Sequence, residues 1–105
     1  MKVRIKENSW IAKIAAARLK TASVAIVIGK TIYLYQCSRE DFLNDTDWVC
    51  HELKHVEQYQ RMGVVVFIIR YLFESLKNGY HNNKYEVEAR EGEKETSLIS
   101  QTEFV

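Results

Sequence analysis

His51 and His55 stand four residues apart with Glu52 next to the first of them, in the run Trp48-Val49-Cys50-His51-Glu52-Leu53-Lys54-His55-Val56-Glu57-Gln58-Tyr59. On a helix this spacing puts both imidazoles on one side, where they can point at a single divalent ion, and zinc is the ion expected for it. Glu52 falls about 100° further round the axis, beside such an ion rather than on it. A carboxylate placed there can take a proton from a metal-polarised water. Cys50 precedes His51 directly, but neighbours on a helix diverge by about 100°, so it reads as a small buried residue packed behind the site. A catalytic zinc centre uses three protein ligands and leaves one position open. Downstream candidates for the third ligand are His81, Glu86 and Glu88.

A helix must carry the two histidines, and the surrounding sequence bounds one. Asn44-Asp45-Thr46-Asp47 offers several N-caps, Trp48 to Met62 is periodic, and Gly63 can end it after about four turns. Trp48, His51, His55, Tyr59 and Met62 define its buried side, with Lys54, Glu57 and Arg61 outside. Before it, the strands Ala22 to Ile28 and Thr31 to Gln36, rich in β-branched residues and tyrosine, flank Gly29-Lys30 and predict a hairpin, with Ile32 and Leu34 facing the core. A free edge on that hairpin beside the metal cleft could take up an extended peptide as a further strand. Earlier still, Lys2 to Glu7 alternates like a half-exposed strand. Ser9 caps a first helix with Trp10, Ile11, Ile14, Ala15 and Leu19 as its core stripe and Lys13, Arg18 and Lys20 on a solvated basic side. Ser38 caps a short helix through Leu43.

After Gly63, the run Val64 to Phe73 is too short to span a bilayer and is broken by Arg70, so no stable membrane insertion is expected. It predicts a long buried helix continuing to Asn78. So wide an apolar face, 64–73, could also be a surface that pairs two copies of the chain or contacts a membrane. Gly79 to Asn83 reads as a turn in which Asn83 caps a last helix from Lys84 to Glu91, and 92–105 as a loosely ordered tail. Glu86 at the third position of that helix could alternatively close a capping box.

The chain has 105 residues, 47% apolar and 28% charged, with a net charge of +1. That is one soluble α+β domain over 1–105, with no charge-based reason to expect nucleic acid. No secretory signal is visible, which predicts a cytoplasmic location. Cys37 and Cys50 form no C-x-x-C pair and no disulfide framework.

His51-Glu52-x-x-His55 followed by Glu86-Val87-Glu88-Ala89 resembles the gluzincin metallopeptidases, whose later helix carries a Glu-x-x-Ala-Asp or Glu-x-x-Ser-Asp motif. More widely, Gly29-Lys30-Thr31-Ile32, the stretch 51–58, Tyr80 and Tyr85-Glu86-Val87-Glu88-Ala89-Arg90 are similar to small bacterial metallopeptidase-type domains that are otherwise uncharacterised. The resemblance implies a minimal zincin-like fold: a hairpin packed on the His-Glu-x-x-His helix, a long apolar helix and a C-terminal third-ligand helix. It implies Glu86 as the third zinc ligand, with Glu88 in reserve, and Ala89 as the small residue against the motif helix. Arg90 stands where the larger peptidases have an aspartate that orients a histidine ligand, a role left to Glu91, Glu93 or a backbone carbonyl. The function expected is hydrolysis of peptide bonds in a peptide or protein substrate, with Glu52 as general base and His81, Tyr80 or Tyr85 available as oxyanion donors. The competing reading is a zinc-stabilised, non-catalytic module that binds a protein partner.

Overall fold

The computed structural model describes residues 1–19 and 23–105; Lys20 and Ala22, expected in the first helix and the hairpin, lie outside the described residues, as do the side chains of Arg18 and Leu19. A four-stranded mixed sheet forms its centre, with strand order β2-β3-β1-β4. In β1, Lys2–Lys6, alternation buries Val3 and Ile5 and leaves the lysines and arginine in solvent. β2, Val24–Ile28, and β3, Thr31–Tyr35, pair antiparallel with Ile28 opposite Thr31, and Gly29 makes the turn at φ 64°, a conformation that costs glycine no Cβ clash. Ile32 and Leu34 are fully buried, as their alternation predicts. β1 lies parallel to β3, so β2 is left at the sheet's edge.

Helices cover both faces. α1, Trp10–Leu19, lies on one face through Ala12 and Ala16, whose small side chains allow close approach to Val24. The expected stripe is met only in part: Ala15 packs on this cluster and Ile11 is half-buried, but Trp10 is 71% exposed and Ile14 is exposed too, because Ala12 and Ala16 occupy the sheet contact. The short α2, Arg39–Asn44, is capped by Ser38 and sinks Phe42 into the core. α3, Thr46–Met62, packs on the opposite face, its start fixed by Asp45 Oδ1 accepting from the Trp48 N–H at 3.1 Å. It is enclosed on more sides than its polarity predicts: Val49, Leu53 and Val56 join the sheet core while Glu52, His55, Gln58 and Tyr59 are also buried.

Two expectations are corrected beyond α3. α4, Val64–Asn78, is a helix, but not a buried one: Phe67 alone is buried, clasped by the rings of Tyr59, Tyr71 and Tyr85. The sheet and α3 already fill one core, so α4 has only one narrow side to contribute. Nor is 92–105 loose. After α5, Lys84–Glu91, come a 3₁₀ turn at Gly92–Lys94, α6 at Ser97–Ser100 and β4 at Glu103–Phe104, parallel to β1. Leu98 is buried against the core, and the N–H groups of Glu103 and Val105 donate to the carbonyls of Met1 and Val3. Among the described residues, no helix is long and apolar enough to cross a membrane.

Candidate metal centre

α3 and α5 bring the three expected ligands to one point. Nε2 of His51 lies 3.0 Å and Nε2 of His55 3.1 Å from the same carboxylate oxygen, Oε1 of Glu86. One donor atom from each residue falls within 4.8 Å of the other two. Bonds of about 2.0–2.1 Å to a tetrahedral ion separate its ligands by about 3.3 Å, close to the two histidine–Glu86 distances, so the three side chains are grouped on the scale of such a site. Two imidazoles and a carboxylate are also the donor set of a hydrolytic zinc site. Glu86 does not close a capping box, although Asn83 does cap α5 by accepting from the Tyr85 N–H; the N–H of Asn83 goes to the Tyr80 carbonyl instead. Glu88, the reserve, is turned away to Gln58 and Arg61 at 3.0 and 3.2 Å.

The far nitrogens of both rings are held, and the holders fix the tautomers. Nδ1 of His51 is 2.9 Å from Oε2 of Glu93. An ionised carboxylate can only accept, so this nitrogen carries the proton. Nδ1 of His55 is 2.8 Å from Oε1 of Gln58, whose amide nitrogen donates to the Tyr85 carbonyl and to Glu88. That fixes the amide orientation and makes His55 Nδ1 the donor. Each Nε2 is thereby the ring nitrogen left to bind a metal once the proton it donates to Glu86 is displaced, the arrangement that outer partners impose on histidine ligands. Glu93 does what Arg90 cannot, while the Arg90 guanidinium donates to the His81 carbonyl. The Tyr71 hydroxyl donates to Oε2 of Glu86, leaving Oε1 for the histidine side.

Without an ion, protons do the work of the metal charge. Burial pulls the His51 pKa down, but the hydrogen bond to Glu86, the charge of Glu52 and the hydrogen bond to Glu93 outweigh it and raise it to about 9. His55 is raised as well, against its burial, chiefly by Glu86 and Glu52. Glu86 moves well below the usual carboxylate range: burial opposes this, and hydrogen bonds from both histidines and Tyr71 prevail. Glu52 is only 6% exposed. Burial pushes it up to about 7 even though His55 and His51 pull it down. A carboxyl group with a pKa near neutrality can both accept and return a proton.

Glu52 and the histidines open into a groove of about 500 Å³ along the edge of β2, walled by Ile11 and Ala15 of α1 on one side and Ile68 and Leu72 of α4 on the other. In a two-residue hairpin the pair flanking the turn, Ile28 and Thr31, exchanges hydrogen bonds, and pairing then alternates. Ile26 and Val24 therefore face β3, and the N–H and C=O groups of Ala25 and Val27 point out into the groove. Tyr80 also lines the groove, with its hydroxyl pKa raised to about 12 by burial and by the charges of Glu86 and Glu52, so it remains a proton donor at neutral pH.

The chain matches no protein-family profile, no curated protein and no solved structure.

Two expected donors are not in the groove. His81 is exposed outside it, and Tyr85 is buried against Phe67 and does not line it. Cys50 is buried behind the histidines, its thiol 3.5 Å from the Glu95 carbonyl, and neither cysteine is in a disulfide. Two contributors escape the motif reading. Gln58 follows His55 by three positions, so a polar residue on the buried side of α3 is its signal. Tyr71 is hidden inside an apolar run, where its hydroxyl is the one clue. Of the candidates for the orienting role, Glu91, Glu93 or a backbone carbonyl, the structure places Glu93 on His51.

Proposed function

We propose that the chain is a small zinc-dependent peptidase of the gluzincin type. The observation that carries this reading is the placing of the buried Glu52 beside three convergent ligand atoms in a groove that follows the edge strand β2. His51, His55 and Glu86 would hold the ion, and Glu93, Gln58 and Tyr71 would keep their donor atoms aimed. Zinc bound there supplies Lewis acidity, polarising a carbonyl and acidifying water to a pKa of about 7.

The chain's own groups do the rest. Ala25 and Val27 hold the backbone of an extended peptide along β2, which selects conformation without demanding a sequence. Glu52 takes a proton from the attacking water and passes it to the leaving amine. Tyr80, which lines the groove, would donate its hydroxyl to the developing oxyanion. A non-catalytic zinc-stabilised module would have the same three ligands but no use for an acid at position 52, and structural zinc sites prefer four closed protein ligands.

The test is hydrolysis of a mixed peptide library by zinc-loaded wild type and Glu52→Gln. Removing a general base should reduce the rate by about 10²–10⁴-fold with zinc retained. Equal rates for the two proteins would remove Glu52 from the mechanism, and no hydrolysis by either would favour the binding module.

A further inference from the structure

The groove's two lips continue outward as apolar surface. On α4, Val65, Ile69, Leu72, Phe73 and Leu76 recur on one side of the helix, away from Phe67, and all are exposed, Phe73 at 72% and Leu76 at 87%. Leu72 belongs at once to this face and to the groove wall. On α1, Ile11 lines the groove, and the exposed Ile14 and Trp10 follow it round the helix. An apolar collar of this breadth is more than scattered surface hydrophobics.

Charge distinguishes what could cover it. Arg70 and Lys77, two turns apart, lie along the edge of the α4 face remote from the groove, and Lys13 lies one turn on from Trp10 on α1. All three are exposed and unpaired with acids among the described residues. Glu74, the one acid of α4, is turned aside to accept from Asn78 Nδ2 and the Lys84 N–H. Other cations, Lys2, Arg4 and Lys30 among them, also lack an acid partner among the described residues, but Arg70, Lys77 and Lys13 border an apolar collar that holds no carboxylate. A second copy suits this poorly. Antiparallel two-fold pairing of α4 would bring the Arg70–Lys77 edge against itself, and parallel pairing would lay those cations on the apolar lip at Leu72. An anionic lipid surface takes both features, burying Leu, Phe and Trp at the acyl boundary while the cations meet headgroups.

We propose that the outer face of α4, with Trp10 and Ile14 of α1, docks the protein peripherally on an anionic bilayer, the open side of the groove lying toward the membrane. The docking surface is separate from the metal ligands and is independent of whether the site is catalytic.

The test is co-sedimentation of the full chain with vesicles of phosphatidylcholine alone or of equal parts phosphatidylcholine and phosphatidylglycerol. Binding is expected to the anionic vesicles, weakened about fivefold by each of Arg70→Gln and Lys77→Gln and at least about tenfold by Phe73→Ser with Leu76→Ser. All four positions are exposed, so these variants should keep the wild-type circular dichroism spectrum, and His51→Ala should bind vesicles as wild type does. Failure to bind anionic vesicles, or equal binding to both compositions, would overturn the proposal. So would a dimer in analytical ultracentrifugation that Phe73→Ser with Leu76→Ser dissociates, since the occupant would then be a second copy.

Discussion

Replacing Glu93 by alanine separates the geometry of the metal centre from its mere composition. Glu93 contributes no ligand atom, yet its carboxylate sits 2.9 Å from Nδ1 of His51 and takes the place of the aspartate that Arg90 displaces in the resembling motif. Losing an outer-shell partner of a histidine ligand costs about 10–100-fold in metal affinity. The Glu93 side chain is 33% exposed, so water can partly replace it as acceptor, and the expected loss is near the lower limit, about tenfold or roughly 1.4 kcal/mol. Glu93→Gln keeps an acceptor oxygen and should recover most of that loss, whereas Glu91→Ala, two residues back and exposed, should lose nothing. Competition for zinc against a chromophoric chelator at neutral pH measures all three. Should Glu93→Ala hold zinc as tightly as wild type while His51→Ala does not, the orienting role and the tautomer assigned to His51 are both wrong.

Two further outcomes follow from the same structure. In the metal-free protein His51 has a folded pKa of about 9, above its ordinary 6.5, so its stabilisation is complete below about 6.5 and is lost as pH rises through about 9. Glu52, raised from 4.5 to about 7, also lowers stability as pH rises across that interval. Glu86 is depressed, so its contribution is present above 4.5 and lost in stronger acid. Thermal melts without metal should therefore peak near about pH 5 and fall toward pH 9, while the gain in Tm on adding zinc should grow with pH because both Nε2 atoms must shed protons; a gain that shrinks with pH would contradict the ligand assignment. Leu98→Ala should cost about 2–4 kcal/mol by emptying a core position, a drop in Tm of about 10 °C or more, and a wild-type melt would mean that the C-terminal segment is not packed as described.

How far the sequence alone reaches is seen at particular residues. The His51-Glu52-x-x-His55 spacing, the caps at Ser9, Ser38, Asp45 and Asn83, and the Gly29 turn are local features, fixed within a few residues, and each is found where its chemistry predicts. Features set by distant contacts were less legible. Nothing local tells that Ala12 and Ala16 rather than Trp10 and Ile14 meet the sheet, since a small residue can outcompete a large one where close approach matters. Val64 to Phe73 reads as core because hydrophobicity cannot reveal that α3 and the sheet have already filled it. The polar segment after Gly92 reads as a tail because its order depends on Leu98 and on backbone pairing with β1, near the opposite end of the chain. The choice of Glu86 over Glu88 required knowing which side of α5 faces α3, and Gln58 answers it by holding Glu88 away from the histidines.

The most direct test of the account is the zinc content of the purified chain beside four single variants, each checked for folding by circular dichroism. Wild type, Glu52→Gln and Glu88→Ala should each hold about one equivalent, and His51→Ala and Glu86→Ala should lose it. Retention of full zinc by His51→Ala, or loss in Glu88→Ala with retention in Glu86→Ala, would contradict the centre described.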